Sequence, residues 1–273
     1  KTAFIVQVFI LHWKEPVRSI LQPLIETYHK GLHVGDLTRA ALAVMTWCYH
    51  AFVAGLELPT LERDMAAFIE SLTQYKQTVL ASRCAMYRQA VLNLMGRAAD
   101  PRLLKGESYD EDTMLAPQAK ANDYPFLVMF HILRLQLAYL FGDQEAALKH
   151  ADLAEVYIEG ARARIADPQY RLYDSLCRLG AYRGAQRGER SSILRRVRAN
   201  LRLMRNWARH APENFLHQQL LVEAELARVT GRVDQADALY GQAIGLARKG
   251  GFLGDEALAG ELAQGYPDDV KAQ

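Results

Sequence analysis

The sequence predicts an all-α protein, built as a stack of antiparallel helix hairpins. Three observations carry this. Apolar residues recur at helical spacing along nearly the whole chain, and no segment sustains the alternation of a strand. The breaks are short, and each pairs a Gly or Pro stop with an Asp, Glu or similar start: Glu15-Pro16, Gly35-Asp36, Gly55 to Pro59, Gly142-Asp143, Asp167-Pro168, Ala211-Pro212, Gly231 and Gly250-Gly251.

In order, the spacing predicts helices near 3–13, 16–33, 37–54, 58–77, 79–96, 112–121, 124–141, 144–160, 168–184, 189–210, 213–230, 233–249 and 253–265. Only 97–111, RAADPRLLKGESYDE, reads as a long loop. The apolar opening KTAFIVQVFILHW is about 13 residues, short of the ~20 needed to span a bilayer. It lacks a small-residue cleavage site and runs into Lys14 and Glu15, so neither a signal peptide nor a membrane anchor is expected. The absence of an initiating Met suggests a piece of a longer chain. The expected organisation is one helical domain over 1–273, with 1–34 leading from an upstream module and 266–273 a polar tail.

The 273 residues are half apolar, contain nine prolines and show no low-complexity tract, as a folded globular chain requires. A net charge of +2 marks the whole neither as a nucleic-acid binder nor as an acidic protein. Cys48, Cys84 and Cys177 lie far apart in apolar helical runs with no CxxC, which predicts free buried thiols in a reducing, cytoplasmic compartment.

Three junctions share a pattern: GDLTRAAL from Gly35, GDQEAALKHADLAE from Gly142 and GRVDQADALYGQA from Gly231. In the latter two, small residues stand 5 and 12 positions after the glycine, Ala147 and Ala154, then Ala236 and Ala243. The preceding helices carry Ala138 and Ala224. This arrangement resembles the tetratricopeptide repeat (TPR), whose small residues let paired helices approach closely. The glycines are 107 and 89 residues apart, not multiples of ~34, and Trp47 fills the last small position of the first copy. The expectation is therefore an irregular TPR-like right-handed stack, an α-solenoid.

No phosphate-binding loop, kinase signature or GxSxG elbow is present, and KGES at 105–108 lacks the Lys that a phosphate loop needs after its glycine. His29 and His33 share one helical face with Glu26 one turn earlier, a spacing able to hold a metal, but no third ligand is identifiable and a solvated face is the better reading. His210 and His217 bracket a turn and are expected to cap or pack there. The acidic YDEDT at 109–113 is read as a helix start, whose positive dipole end carboxylates offset.

Charge is unevenly distributed. From Ala161 to His210 there are thirteen arginines and no lysine against Asp167, Asp174 and Glu189, a local charge of +10 that leaves −8 for the remainder. Within SSILRRVRANLRLMRNWARH, Arg195, Arg198, Arg202, Arg205 and Arg209 step by 3, 4, 3 and 4. Leu194, Val197, Leu201, Met204 and Ala208 repeat that rhythm one residue earlier, so an apolar and a cationic stripe run side by side about 100° apart. The cationic stripe is either a docking edge for an acidic partner, a phosphate group or nucleic acid, or a face that is solvated or neutralised by acidic helices elsewhere in the chain. The second reading is the more economical, and nucleic acid is disfavoured because no aromatics interleave the arginines.

The stretches HWKEP (12–16), GLHVGDL (31–37), YRQAVLNLMG (87–96), LAYLFGDQEAALKHADLAE (137–155), YDSLCRL (173–179) and NWARHAPENFLHQQLLVEAELARV (206–229) together resemble the helical region of very large bacterial signalling proteins. In that family a Ser/Thr kinase-like domain and a STAND-type AAA ATPase precede the TPR-like helices, and a GAF domain and a sensor histidine kinase follow. The resemblance implies a non-catalytic scaffold that couples the ATPase to the kinase, with no cofactor and no metal. It implies flanking domains, or other signalling proteins and peptides, as partners, and neither nucleic acid nor membrane. A stand-alone peptide-binding module is the alternative.

Overall fold

A computed structural model describes residues 2–271, with side chains over 4–265. Among the described residues there are thirteen α-helices and no strand. They are α1 (Thr2–Phe9), α2 (Val17–His33), α3 (Leu37–Val53), α4 (Leu58–Gln74), α5 (Thr78–Leu94), α6 (Glu111–Lys120), α7 (Tyr124–Leu140), α8 (Gln144–Val156), α9 (Ala166–Ala181), α10 (Arg187–His210), α11 (Pro212–Val229), α12 (Val233–Gly250) and α13 (Leu253–Lys271). Short 3-10 turns follow α1 (Leu11–Trp13) and α8 (Ile158–Ala161), where the spacing predicted unbroken helices. The last helix continues past Pro267, beyond the expected end at 265; residues 1, 272 and 273 lie outside the described residues.

The turns explain the helix ends. Gly35, Gly142 and Gly231 adopt φ of +73°, +74° and +77°, the left-handed region that glycine enters at no steric cost. In each turn the residue after the glycine donates its N–H back to the end of the preceding helix: Asp36 to the Gly31 carbonyl at 2.8 Å, Asp143 to Ala138 at 2.8 Å, and Arg232 to Ala227 at 2.9 Å. Asp36 and Asp143 then cap the next helix, their carboxylates accepting from the N–H of Arg39 and Ala146. A Gly-Asp pair thus closes one helix and opens the next within three residues.

The helices group into two compact units, Lys1–Tyr170 and Arg171–Gln273, with α9 carrying the boundary. In the first unit α2 pairs with α3, α4 with α5, and α7 with α8, while α3 packs on α5 and α5 on α7. Helices α5 and α7 are accordingly buried on most of their faces. In the second unit α10, α11, α12 and α13 pack consecutively. Neighbouring helices in each unit therefore pack in sequence order, as hairpins that cover one another's apolar faces.

Ala138, Ala147, Ala154, Ala224, Ala236 and Ala243 are all buried, at the α7/α8 and α11/α12 hairpins. Tyr240, between the last two on α12, is also buried, and its hydroxyl donates to the Glu225 carboxylate on α11. One close backbone approach escaped the sequence pattern. A Cβ added to Gly31 would lie 3.0 Å from the backbone N of Ala40, so α2 and α3 meet where no side chain fits.

The long loop is held from the inside. Buried Asn93 donates to the carbonyls of Pro101 and, in a tighter contact, Leu103 at 2.5 Å. Gln89 Oε1 accepts the N–H groups of Ser108 and Tyr109, and both Gln89 and Asn93 are fully buried on α5. Leu104 and Tyr109 are in turn drawn into the core.

Candidate interaction surface

Helix α10 begins with a reciprocal cap: Gln186 accepts at its own helix's first turn, and Glu189 Oε2 accepts the Gln186 N–H at 2.8 Å. From there the apolar stripe sets the helix's roll. Val197, Leu201, Met204 and Ala208 are buried, with Leu194 half-buried at the start.

A polar hub on the same side fixes that roll. Asp174 of α9 is fully buried and accepts from Arg178 Nε at 2.7 Å, Arg196 Nε at 2.8 Å and Asn200 Nδ2 at 2.7 Å. Asn200 also reaches Ser175 Oγ at 3.0 Å. The carboxylate is buried only because two guanidinium groups and an amide surround it, since an isolated buried charge is too costly to keep.

With the apolar stripe and Arg196 turned inward, Arg195, Arg198, Arg202, Arg205 and Arg209 are all exposed. They span about 21 Å along α10 at ~1.5 Å per residue. Arg205 pairs with Glu223 of α11, N to O 2.7 Å. Arg195, Arg198, Arg202 and Arg209 have no carboxylate within ion-pair distance among the described residues. Neutralisation by acidic helices therefore reaches one arginine of the five. Like charges at i,i+3 and i,i+4 cost about 0.2–0.5 kcal/mol per pair in a helix, so the stripe is kept against a small penalty. Leu203 is exposed beside it, giving the face one apolar contact.

The remaining candidates are dispersed. His29 and His33 are exposed, and Glu26 pairs instead with Lys30, N to O 3.8 Å. No cluster of three or more His, Cys, Asp or Glu able to hold a metal occurs among the described residues. His210 is exposed, while His217 is buried, bonded to Asp255 at 2.7 Å and stacked on Phe252. In YDEDT, Asp110 caps α6, Glu111 pairs with Arg134, and Asp112 with Lys105. The three cysteines are free and buried.

Sequence spacing gave no hint of the buried histidine pair. His131 Nδ1 on α7 lies 3.0 Å from His150 Nδ1 on α8. Burial, then the nearby Arg134 charge, lowers their pKa values to about 4 and about 3, so both are neutral at pH 7. One Nδ1 must then donate and the other accept, and the two rings hold opposite tautomers. This is a core hydrogen bond between neutral rings.

No helix among the described residues is long and apolar enough to cross a membrane. Comparison of the chain with protein families, curated proteins and solved structures finds no match.

Proposed function

We propose that the chain is a non-catalytic, cytoplasmic helical scaffold, an irregular TPR-like right-handed solenoid that serves as the interaction segment of a bacterial signalling protein. In this reading it couples an upstream STAND-type ATPase to downstream GAF and histidine kinase modules, and its partners are those flanking domains. The setting rests on the blocks of resemblance between HWKEP and NWARHAPENFLHQQLLVEAELARV.

The observation that carries an interaction role is the exposed α10 stripe, in which Arg195, Arg198, Arg202 and Arg209 find no acid among the described residues. A row of arginines along one helix face favours a partner with carboxylates at matching intervals, and planar Arg–carboxylate pairs add register as well as attraction. An acidic protein surface fits better than nucleic acid, because no aromatic side chain stands in the stripe to stack on a base. A peptide groove on the 124–160 hairpin is disfavoured, since α7 from Phe126 to Leu135 is covered throughout.

Two experiments test the proposal. The coding sequence on either side is read first: a P-loop ATPase directly upstream supports the scaffold, and immediately flanking start and stop codons refute it. In the natural polypeptide, Arg198→Glu with Arg202→Glu then abolishes the response of kinase autophosphorylation to ATPase turnover while ATP hydrolysis persists. A charge-reversed protein that couples as well as the unaltered one refutes the role of the stripe.

A further inference from the structure

Unit Lys1–Tyr170 contains a cavity of about 200 Å3, walled by α1, α3, α5, α7 and the chain entering α9. Its surface is mostly apolar, with Phe9, Leu42 and Met45 among the walls; Thr46, Tyr49, His50, Tyr87 and Arg164 add polar groups, and of these Arg164 carries the charge.

Arg164 is the exceptional group. Its guanidinium carbon lies 5.5 Å from the centre of the Phe9 ring, and it has no ion pair among the described residues. The carboxylate that acts on it, Asp123, is already committed: Oδ2 accepts from Arg83 at 2.5 Å and Oδ1 from the Phe126 N–H at 3.2 Å. Burial works against the Arg164 charge, and Tyr87 beside it is held protonated by its own burial. Immediately before it, Ala163 sits at φ +58°, a backbone conformation that residues with a Cβ rarely adopt. The chain accepts a local kink there and delivers a cation to an apolar wall.

His50 is a second polar group on the cavity wall. Its Nδ1 lies 2.9 Å from the Thr46 carbonyl, which only accepts, so Nδ1 carries the proton. Burial lowers its pKa to about 4, so the ring is neutral and Nε2 is a bare acceptor. That Nε2 is buried and has no hydrogen-bond partner among the described residues.

We propose that this cavity binds a small monocarboxylate with an apolar, ring-sized body, its carboxylate paired with Arg164 and its body against Phe9, Leu42 and Met45. A cavity of ~150 Å3 takes one benzene ring, so about 200 Å3 admits a ring and a short acid arm, a molecule of about ten non-hydrogen atoms. The low polarity of the walls makes the Arg–carboxylate pair stronger than it is in water. Nothing in this site depends on the α10 stripe, so the two readings stand or fall separately.

The test uses the whole chain, titrated with phenylacetate and with 2-phenylethanol by calorimetry and by saturation-transfer NMR. These share a ring and an arm and differ in charge. The expected result is phenylacetate binding with a Kd below about 1 mM and the alcohol at least tenfold weaker. Arg164→Met lowers the acid's affinity at least tenfold and leaves the alcohol unchanged, and Leu42→Trp, which fills the cavity, weakens both. Equal binding of acid and alcohol to the unaltered protein overturns the proposal. So does undiminished acid binding by folded Arg164→Met, or no binding of the acid at 10 mM to folded protein.

Discussion

Replacing Asp174 by Asn tests whether the α9–α10 hub fixes the roll of the arginine helix. The side chain is fully buried and receives three donors, Arg178, Arg196 and Asn200, at 2.7 to 2.8 Å. Asn keeps the shape, removes the charge and turns one acceptor into an NH2 facing other donors. Hydrogen bonds to a charged group contribute about 1.5–3 kcal/mol each, and breaking a buried pair from one side costs about 3–5 kcal/mol. Arg178 and Arg196 retain some solvent access, with side chains 20% and 28% exposed, so both partly rehydrate and the expected loss falls to about 3 kcal/mol. With a urea m-value of about 2 kcal/mol/M, the unfolding midpoint of the affected unit falls by about 1.5 M. Far-UV circular dichroism through a urea titration measures it. Glu159→Gln is the control, because its pair with Arg162 is about two-thirds exposed on both sides and is worth under about 1 kcal/mol. In a double-mutant cycle, Asp174→Asn with Arg196→Met costs less than the two singles added, since each removes the same contact. A loss below about 1 kcal/mol for Asp174→Asn, or strict additivity in the cycle, refutes the hub.

Three more outcomes follow from particular contacts. Gly31→Ala places a methyl 3.0 Å from the Ala40 backbone and destabilises by about 1–3 kcal/mol, read as a lower urea midpoint; an unchanged midpoint means α2 and α3 are not in contact there. Burial lowers the pKa values of His50 and His131 to about 4, and of His12 and His150 to about 3, against 6.5 unfolded. Between pH 6.5 and about 3 the unfolded chain binds the extra protons, so stability is flat above pH 6.5 and falls as the pH drops through that window. His150→Gln shallows the fall, and a melting temperature constant from pH 7 to 5 contradicts the buried, neutral rings. Because Cys48, Cys84 and Cys177 are fully buried, a thiol reagent such as DTNB labels none of them on mixing with native protein and all three in urea. Immediate native labelling of one thiol places it at the surface.

The helices and their ends were legible in the chain because their causes are local. A Gly-Asp pair sets a left-handed turn and a cap within three residues, and the apolar rhythm of 187–210 separates a buried from an exposed stripe on any straight helix. The same rhythm placed Arg195 to Arg209 on one face, yet it could not say which acids would reach them. Only the packing of α10 on α11 assigned Glu223 to Arg205 and left the other four without a carboxylate among the described residues. Gln89 and Asn93 look like ordinary helix residues in sequence, but they organise a loop up to twenty positions away. Arg164 is one arginine among thirteen in its segment until tertiary structure brings Phe9 to it and commits Asp123 to Arg83. Periodicity reports what neighbours along the chain do to one another. Whether a buried charge finds its partner is a matter of distance in space, and that was settled only when the helices packed.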